Sequence, residues 1–233
     1  MRSDNLFAFA IFAITAFGFF VWGYQYIPTH HFLLFSIASI FGIFMAFNIG
    51  GNDVANSFGT SVGAKTVTIK QALVIAAIFE LSGAIFAGGE VTKTIREGIV
   101  SFPQEGTEPM LFVLIMMSAL LSSGIWLFIA SKKGLPISTT HSIVGGIVGA
   151  GLTMGFTTMG GDKALAMVSW GEIGRIAVSW VISPLLGGIL SYFIYGYIKS
   201  KILIPTRKFT LELKMLKRER KAYKERYLQE LKT

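Results

Sequence analysis

The sequence predicts an all-α membrane protein, and three observations carry that expectation. The chain has 233 residues, of which 52% are hydrophobic and only 15% charged, with a mean hydropathy of +0.61. A soluble domain is about one quarter charged, so this chain has too few polar groups to cover its own surface. Several runs reach the roughly 20 predominantly apolar residues that a membrane-crossing helix needs. Two of the runs lead into short polar segments rich in glycine or proline, a pattern that predicts a discontinuous helix or a re-entrant hairpin.

The first run, Leu6 to Tyr26, is long and aromatic, unlike a cleaved signal sequence. It reads as a spanning helix with Trp22, Tyr24 and Tyr26 near an interface. The second, Phe32 to Ile49, leads into Asn48-Ile49-Gly50-Gly51-Asn52-Asp53-Val54-Ala55-Asn56-Ser57. Paired glycines among three asparagines and an aspartate predict that the backbone unwinds there. The third run, Ala72 to Gly89, carries Glu80 near its middle, and a polar loop spans 101–109. The fourth, Met110 to Ala130, has no charge. Lys132-Lys133 follow it, then Leu135-Pro136-Ile137-Ser138-Thr139-Thr140-His141-Ser142 and a glycine-rich stretch to Gly155. This is the segment expected to form the hairpin. Gly160 to Lys163 reads as a turn. The last run, about Ile173 to Ile198, contains Pro184, whose kink is tolerable where neighbours re-satisfy the backbone.

Charge divides the chain into two parts. The net charge is +8, and from Arg207 to Thr233 ten Lys or Arg face four Glu, a net of +6. Beside a membrane, a basic segment marks the cytoplasmic side, and this reading is preferred over nucleic-acid binding. The expected organisation is a transmembrane domain over 1–200 and a basic cytoplasmic helix over 201–233. A membrane-surface helix is the rival for the second part. The absence of cysteine excludes disulfides, thiolate metal sites and cysteine nucleophiles. With three histidines and no cysteine, no zinc site and no cofactor are expected.

Three places carry chemistry. Asp53 sits among Asn48, Asn52, Asn56 and Ser57. Irregular polar backbone at membrane depth is tolerated only where it is buried in protein or lines a cavity. Helix breaks of this kind build anion and cation sites in secondary transporters. The competing reading is a polar loop in the interface that caps a helix. Glu80 follows eight apolar residues. An ionisable group inside a membrane is costly and points to function, either as a Na⁺ ligand or as a proton carrier. A structural pair with Lys70, Lys93 or Arg96 is the alternative. Ser138, Thr139, Thr140 and Ser142 place hydroxyls at a helix start, where free amides and the dipole suit a phosphate. Ser138 acting only as a cap competes with that reading. The glycines from Gly145 to Gly151 read mainly as packing positions.

Together these segments resemble the inorganic phosphate transporter family. GGNDVANSFGTSVGAKTVTIKQA, from Gly50 to Ala72, is similar to that family's signature. PISTTHSIVGG is similar to its second recurring element, and Ile78-Phe79-Glu80 falls where the family carries a glutamate. The resemblance implies one half of an inverted-repeat symporter, multi-pass in a bacterial inner membrane. It implies phosphate import coupled to Na⁺ or H⁺, with no enzymatic step. Asp53, Asn56, Ser138, Thr139 and Thr140 then belong to substrate binding. Asn52, Ser57 and Glu80 belong to ion coupling, with Na⁺ expected at Asn52, Asp53 and Glu80. The expected partners are phosphate, membrane lipid, a second transporter half and a second copy of the complete transporter. The family carries its signature twice and this sequence carries it once. A fragment or a split gene product is therefore expected. The alternatives are an ion channel and a non-transporting membrane subunit.

Overall fold

The computed structural model describes residues 3–101 and 109–230, and it is almost wholly helical. In chain order the helices are α1 (Ser3–Tyr24), α2 (Phe32–Gly63), α3 (Ile69–Lys93), α4 (Pro109–Lys132), α5 (Thr139–Thr158), α6 (Gly161–Ala166), α7 (Trp170–Ile198) and α8 (Ile204–Glu230). A 3₁₀ turn at Thr29–His31 precedes α2, and wide π turns occupy Thr94–Gly98 and Lys199–Leu203. Most of the loop expected over 101–109 lies outside the described residues. Among the described residues, five helical stretches are long and apolar enough to cross a membrane: Leu6–Tyr24, Thr29–Gly63, Ile69–Arg96, Pro109–Lys132 and Trp170–Tyr227.

The chain divides into two compact units, Met1–Glu172 and Ile173–Thr233. In the first, α2, α4 and α5 form the packed centre, with α4 against both of the others. The buried apolar side chains follow that arrangement. They include Met45 on α2, Ile115 and Leu127 on α4, and Val144 and Ile147 on α5. Lipid tails are as apolar as leucine, so membrane helices associate through close packing and interhelical hydrogen bonds. Glycines supply the close packing here. A Cβ at Gly124 would stand 2.8 Å from the Phe44 ring, and one at Gly146 would stand 2.6 Å from the Ser123 hydroxyl. Ser123, itself buried, donates to the Ser142 carbonyl at 2.9 Å.

Helix α1 meets α2 through rings. Phe20 stacks on Phe35 at 5.4 Å between centroids, and Phe12 meets Phe47 edge-on at 5.7 Å. Thr68 starts α3 with a capping box, its hydroxyl accepting from the Gln71 amide while Gln71 accepts from the Thr68 amide. At the other end of this unit, Val100 and Val168 form an isolated antiparallel bridge. Ser101 donates to the Met167 carbonyl and Ser169 to that of Ile99, so the exit of α3 is tied to the exit of α6.

Two local expectations are corrected. Helix α2 does not unwind at Gly50-Gly51. It continues through the polar segment for 32 residues. Each glycine costs a helix only about 1 kcal/mol relative to alanine, and the asparagines are satisfied without breaking it. Asn48 donates back to the Phe44 carbonyl at 2.7 Å, and Asn56 to the Asn52 side-chain oxygen at 2.9 Å. The other expected break, between α4 and α5, is present. Gly160–Lys163 is more than a turn, because Gly160, at φ +84°, leads into the short helix α6.

The glycines of α5 differ in what they face. A Cβ at Gly155 would lie 2.7 Å from the backbone of Ala164, whereas Gly149 faces open space. Gly155→Ala should therefore destabilise the fold by about 1–3 kcal/mol through overpacking. Gly149→Ala should be neutral or slightly stabilising. Thermal unfolding of the two purified variants in the same detergent measures the difference.

Candidate functional site

The site is built where the middle of α2 meets the turn between α4 and α5. Asn48, Asn52 and Asn56 recur every four residues, so they share one face of α2. Asn48 and Asn52 are buried and Asp53 is half-buried. The turn leaves α4 at Lys133, where the Leu135 amide donates back to the Ala130 carbonyl. Gly134 takes φ +66°, a conformation that favours glycine. Pro136 and Ile137 then carry the chain to Ser138, an extended N-cap residue whose hydroxyl accepts from the His141 amide at 3.3 Å. The Ser142 hydroxyl donates to the Ser138 carbonyl at 2.9 Å.

Side chains of α2 hold this turn. The Thr139 hydroxyl donates to the Asp53 carboxylate at 2.7 Å. The Asn56 amide donates to the Ile137 carbonyl at 3.1 Å as well as to Asn52. A longer contact of 3.5 Å joins the Asn52 amide to the Ser131 hydroxyl. An aspartate, two asparagines and the first turn of α5 thus form one polar cluster. Hydrogen bonds to an ionised acceptor are about twice as strong as neutral ones, so the Thr139–Asp53 contact is the dominant link.

Two hollows adjoin the cluster. One, about 340 Å³, is lined by Asn52, Asn56, Ser131 and the turn at Gly134–Pro136. The other, about 390 Å³, opens on Ser138, His141 and Ser142 beneath Trp126. A larger groove of about 620 Å³ runs along α4 and α5, with Ser118, Ser122, Gly145, Gly149 and Thr153 in its wall. Oxygen-rich surroundings suit a hard cation, and the amides that start α5 suit an anion.

Of the residues singled out in the sequence, Asn52, Asp53, Asn56, Ser138 and Thr139 come together here. Thr140 follows them on α5, exposed and without a side-chain hydrogen bond among the described residues. Ser57 is exposed on α2, and no hydrogen bond joins it to the cluster. Glu80 lies on α3, exposed, with no hydrogen-bond or ion-pair partner among the described residues. Sequence reasoning overlooked Ser131, the Ile137 carbonyl and the serines at 118, 122 and 123. Three hydroxyls in an otherwise apolar span were the available signal for the serines. The backbone carbonyl had none.

Several apolar spans, with a polar cluster where an intact helix meets a broken pair, define an integral multi-pass membrane protein. The model of the Phosphate transporter family matches residues 49–230, and the chain belongs to that family. It is 55% identical over 191 residues to a protein of Mycobacterium bovis (strain ATCC BAA-935 / AF2122/97) assigned by name as a phosphate permease. That match covers 82% of this chain and 35% of the relative. A similarly named protein of Haemophilus influenzae is 49% identical over 161 residues, 69% of this chain and 36% of its own. One from Pyrococcus abyssi is 46% identical over 164 residues, covering 70% and 38%. A solved structure described as "The sodium-dependent phosphate transporter" matches with a TM-score of 0.59 and 42% identity, over 72% of this chain and 39% of that one. The chain thus spans little more than a third of the length of these proteins.

Asn56→Asp tests the cluster. The change removes both donors and sets a carboxylate against the Asn52 oxygen and the Ile137 carbonyl. Of the two acceptors only Asn52 is buried, and leaving a buried acceptor unpaired costs about 1–3 kcal/mol. Amides from Ile137 to Ser142 should therefore exchange hydrogen about ten to a hundred times faster, while those in the middle of α1 keep their rates.

Proposed function

We propose that this chain supplies one half of a carrier that moves inorganic phosphate across the membrane by symport with Na⁺ or H⁺. Family membership supports phosphate as the solute. The observation that carries the mechanistic reading is the 2.7 Å hydrogen bond from Thr139 to Asp53, which joins the two polar motifs from separate helices. In this reading, Ser138 and Thr140 donate hydroxyls to phosphate at the start of α5, and Thr139, whose one O–H goes to Asp53, contributes its backbone amide where the helix dipole favours an anion. Asn56 holds the turn in place and completes the substrate region.

Asp53 would repel the same anion unless its charge is offset. A cation held by Asp53 and the side-chain oxygen of Asn52 does that, which is why cation and phosphate bind together. The description of the solved relative as sodium-dependent supports Na⁺ in that role. Ser57 and Glu80 complete the ion-coupling set, with Glu80 either ligating Na⁺ or carrying H⁺. Alternating access then needs a second transporter half, and two complete transporters pair as a homodimer. The reading places the protein in a bacterial inner membrane, with 1–200 as the transmembrane part and the basic 201–233 segment on the cytoplasmic side. It is a carrier and no enzyme.

Radiolabelled phosphate uptake by the assembled transporter tests these roles. Asp53→Asn should lower uptake by about tenfold or more, equivalent to about 1.4 kcal/mol. Thr139→Val should lower it several-fold, whereas Thr139→Ser, which keeps the donor, should retain it. Replacing Na⁺ by choline at fixed pH separates the two coupling ions. Glu80→Gln should abolish the dependence on whichever ion couples. Wild-type uptake by Asp53→Asn and Glu80→Gln would refute the roles given to those carboxylates. Linear, unsaturating phosphate flux would favour a channel.

A further inference from the structure

Helix α8 carries a seam that nothing within its own compact unit explains. Phe209, Leu213, Leu216, Arg220, Tyr223 and Tyr227 are spaced alternately by four and three residues, and all are exposed. That alternation is a heptad repeat, the pattern that keeps one stripe facing a partner helix. Phe209, Leu216 and Tyr223 take one seam position, and Leu213, Arg220 and Tyr227 the other. An amphipathic basic helix also suits an anionic membrane surface, and α8 holds nine Lys or Arg against four Glu, a net of +5. The residues beside the seam separate the two occupants.

One flank carries Glu212 and Glu219, followed by Arg226 at its end. The opposite flank carries Lys217 and Lys224. A helix lying on anionic lipid would press the glutamate flank against like charge. Two copies of α8 side by side and parallel instead set Glu212 opposite the partner's Lys217, and Glu219 opposite the partner's Lys224. Each pair is five residues apart in sequence, as interhelical pairs of a parallel two-stranded coil require. An antiparallel pair would put glutamate opposite glutamate. Glu212 and Glu219 have no ion-pair partner in their own helix among the described residues, whereas Lys221 pairs with Glu225 away from the seam at 3.8 Å.

We infer that α8 is a homotypic interaction surface, forming a parallel two-stranded coiled coil with α8 of a second copy of this chain. Two copies inserted the same way in one membrane run their helices in the same direction, so the parallel arrangement is the one available to them. Arg220 is the lone charged seam residue. A single polar seam residue fixes register and strand number at a cost in stability. The repeat from Phe209 to Tyr227 spans under three heptads and is short for an isolated coil. Attachment to membrane-embedded α7 raises the effective concentration of one copy around another. The inference rests on α7 being embedded and is independent of the solute carried.

This chain lacks cysteine, so single-cysteine variants of it report the seam directly. In phosphatidylcholine vesicles under mild oxidation, Leu216→Cys should form disulfide-linked dimers about tenfold faster than Ala222→Cys on the outer face. Only seam positions bring the paired Cα atoms within about 7 Å. Adding Glu212→Lys and Glu219→Lys should bring Leu216→Cys down to the Ala222→Cys rate. Further adding Lys217→Glu and Lys224→Glu should restore it, which also shows that the loss was not misfolding. Tyr223→Cys repeats the seam measurement should Leu216→Cys express poorly. Equal rates at positions 216 and 222, or no rescue by the combined charge exchange, would overturn the inference. So would cross-linking that falls when phosphatidylglycerol is added, because that outcome gives α8 to the lipid surface.

Discussion

The hydrogen bond between Thr139 and Asp53 brings together two segments 86 residues apart in the chain. It is short, it is charge-assisted, and its acceptor is half-buried, so water competes for it poorly. Around it the Asn56 amide reaches the Ile137 carbonyl, and the Ser138 hydroxyl caps the helix that Thr139 begins. Take away the carboxylate and the turn loses its strongest tie to α2. Take away the turn, and the one charged group of α2 has no partner. The polar cluster and the broken α4–α5 pair therefore require each other, and the glycine-mediated packing of α2, α4 and α5 brings them within reach.

That mutual requirement explains how much was legible in the sequence. The apolar runs were readable because hydropathy and length are properties of single segments. Each predicted span is a helix, and all but the second end within a few residues of the expected place; α2 runs on to Gly63 instead of stopping at Ile49. The motifs were readable because Asp53 and the hydroxyls at 138–140 are conspicuous among apolar neighbours. Of the two expected helix breaks, the one before α5 is present and the one at Gly50-Gly51 is not, because glycine permits an unwound backbone without requiring it. Whether it unwinds depends on partners for the neighbouring amides, and here Asn48 and Asn56 find theirs inside the helix. The sequence also hid the serines of α4. Their neighbours across the groove, at 142, 145 and 149, follow nineteen or more residues later.

The glycines of α5 show how one composition serves two purposes. A Cβ at Gly146 or Gly155 would collide with Ser123 or Ala164, and one at Gly151 would crowd Val100, while Gly145 and Gly149 face open space along the hydroxyl-lined groove. Helical phase makes that division. The sequence reading of the stretch as packing positions was therefore right for part of it. The remaining glycines keep the groove wide.

Helix α5 has a further property that follows from its two ends. Gly134 precedes its cap and Gly160 follows its last turn, and both hold positive φ values. Between them, Gly146 sits under Ser123 and the Ser142 carbonyl receives the Ser123 hydroxyl. The helix is also held at both ends, because Thr139 donates to Asp53 and Gly155 lies against Ala164. Fastened at its start, its middle and its last turn, α5 cannot be displaced at one attachment without loading the other two.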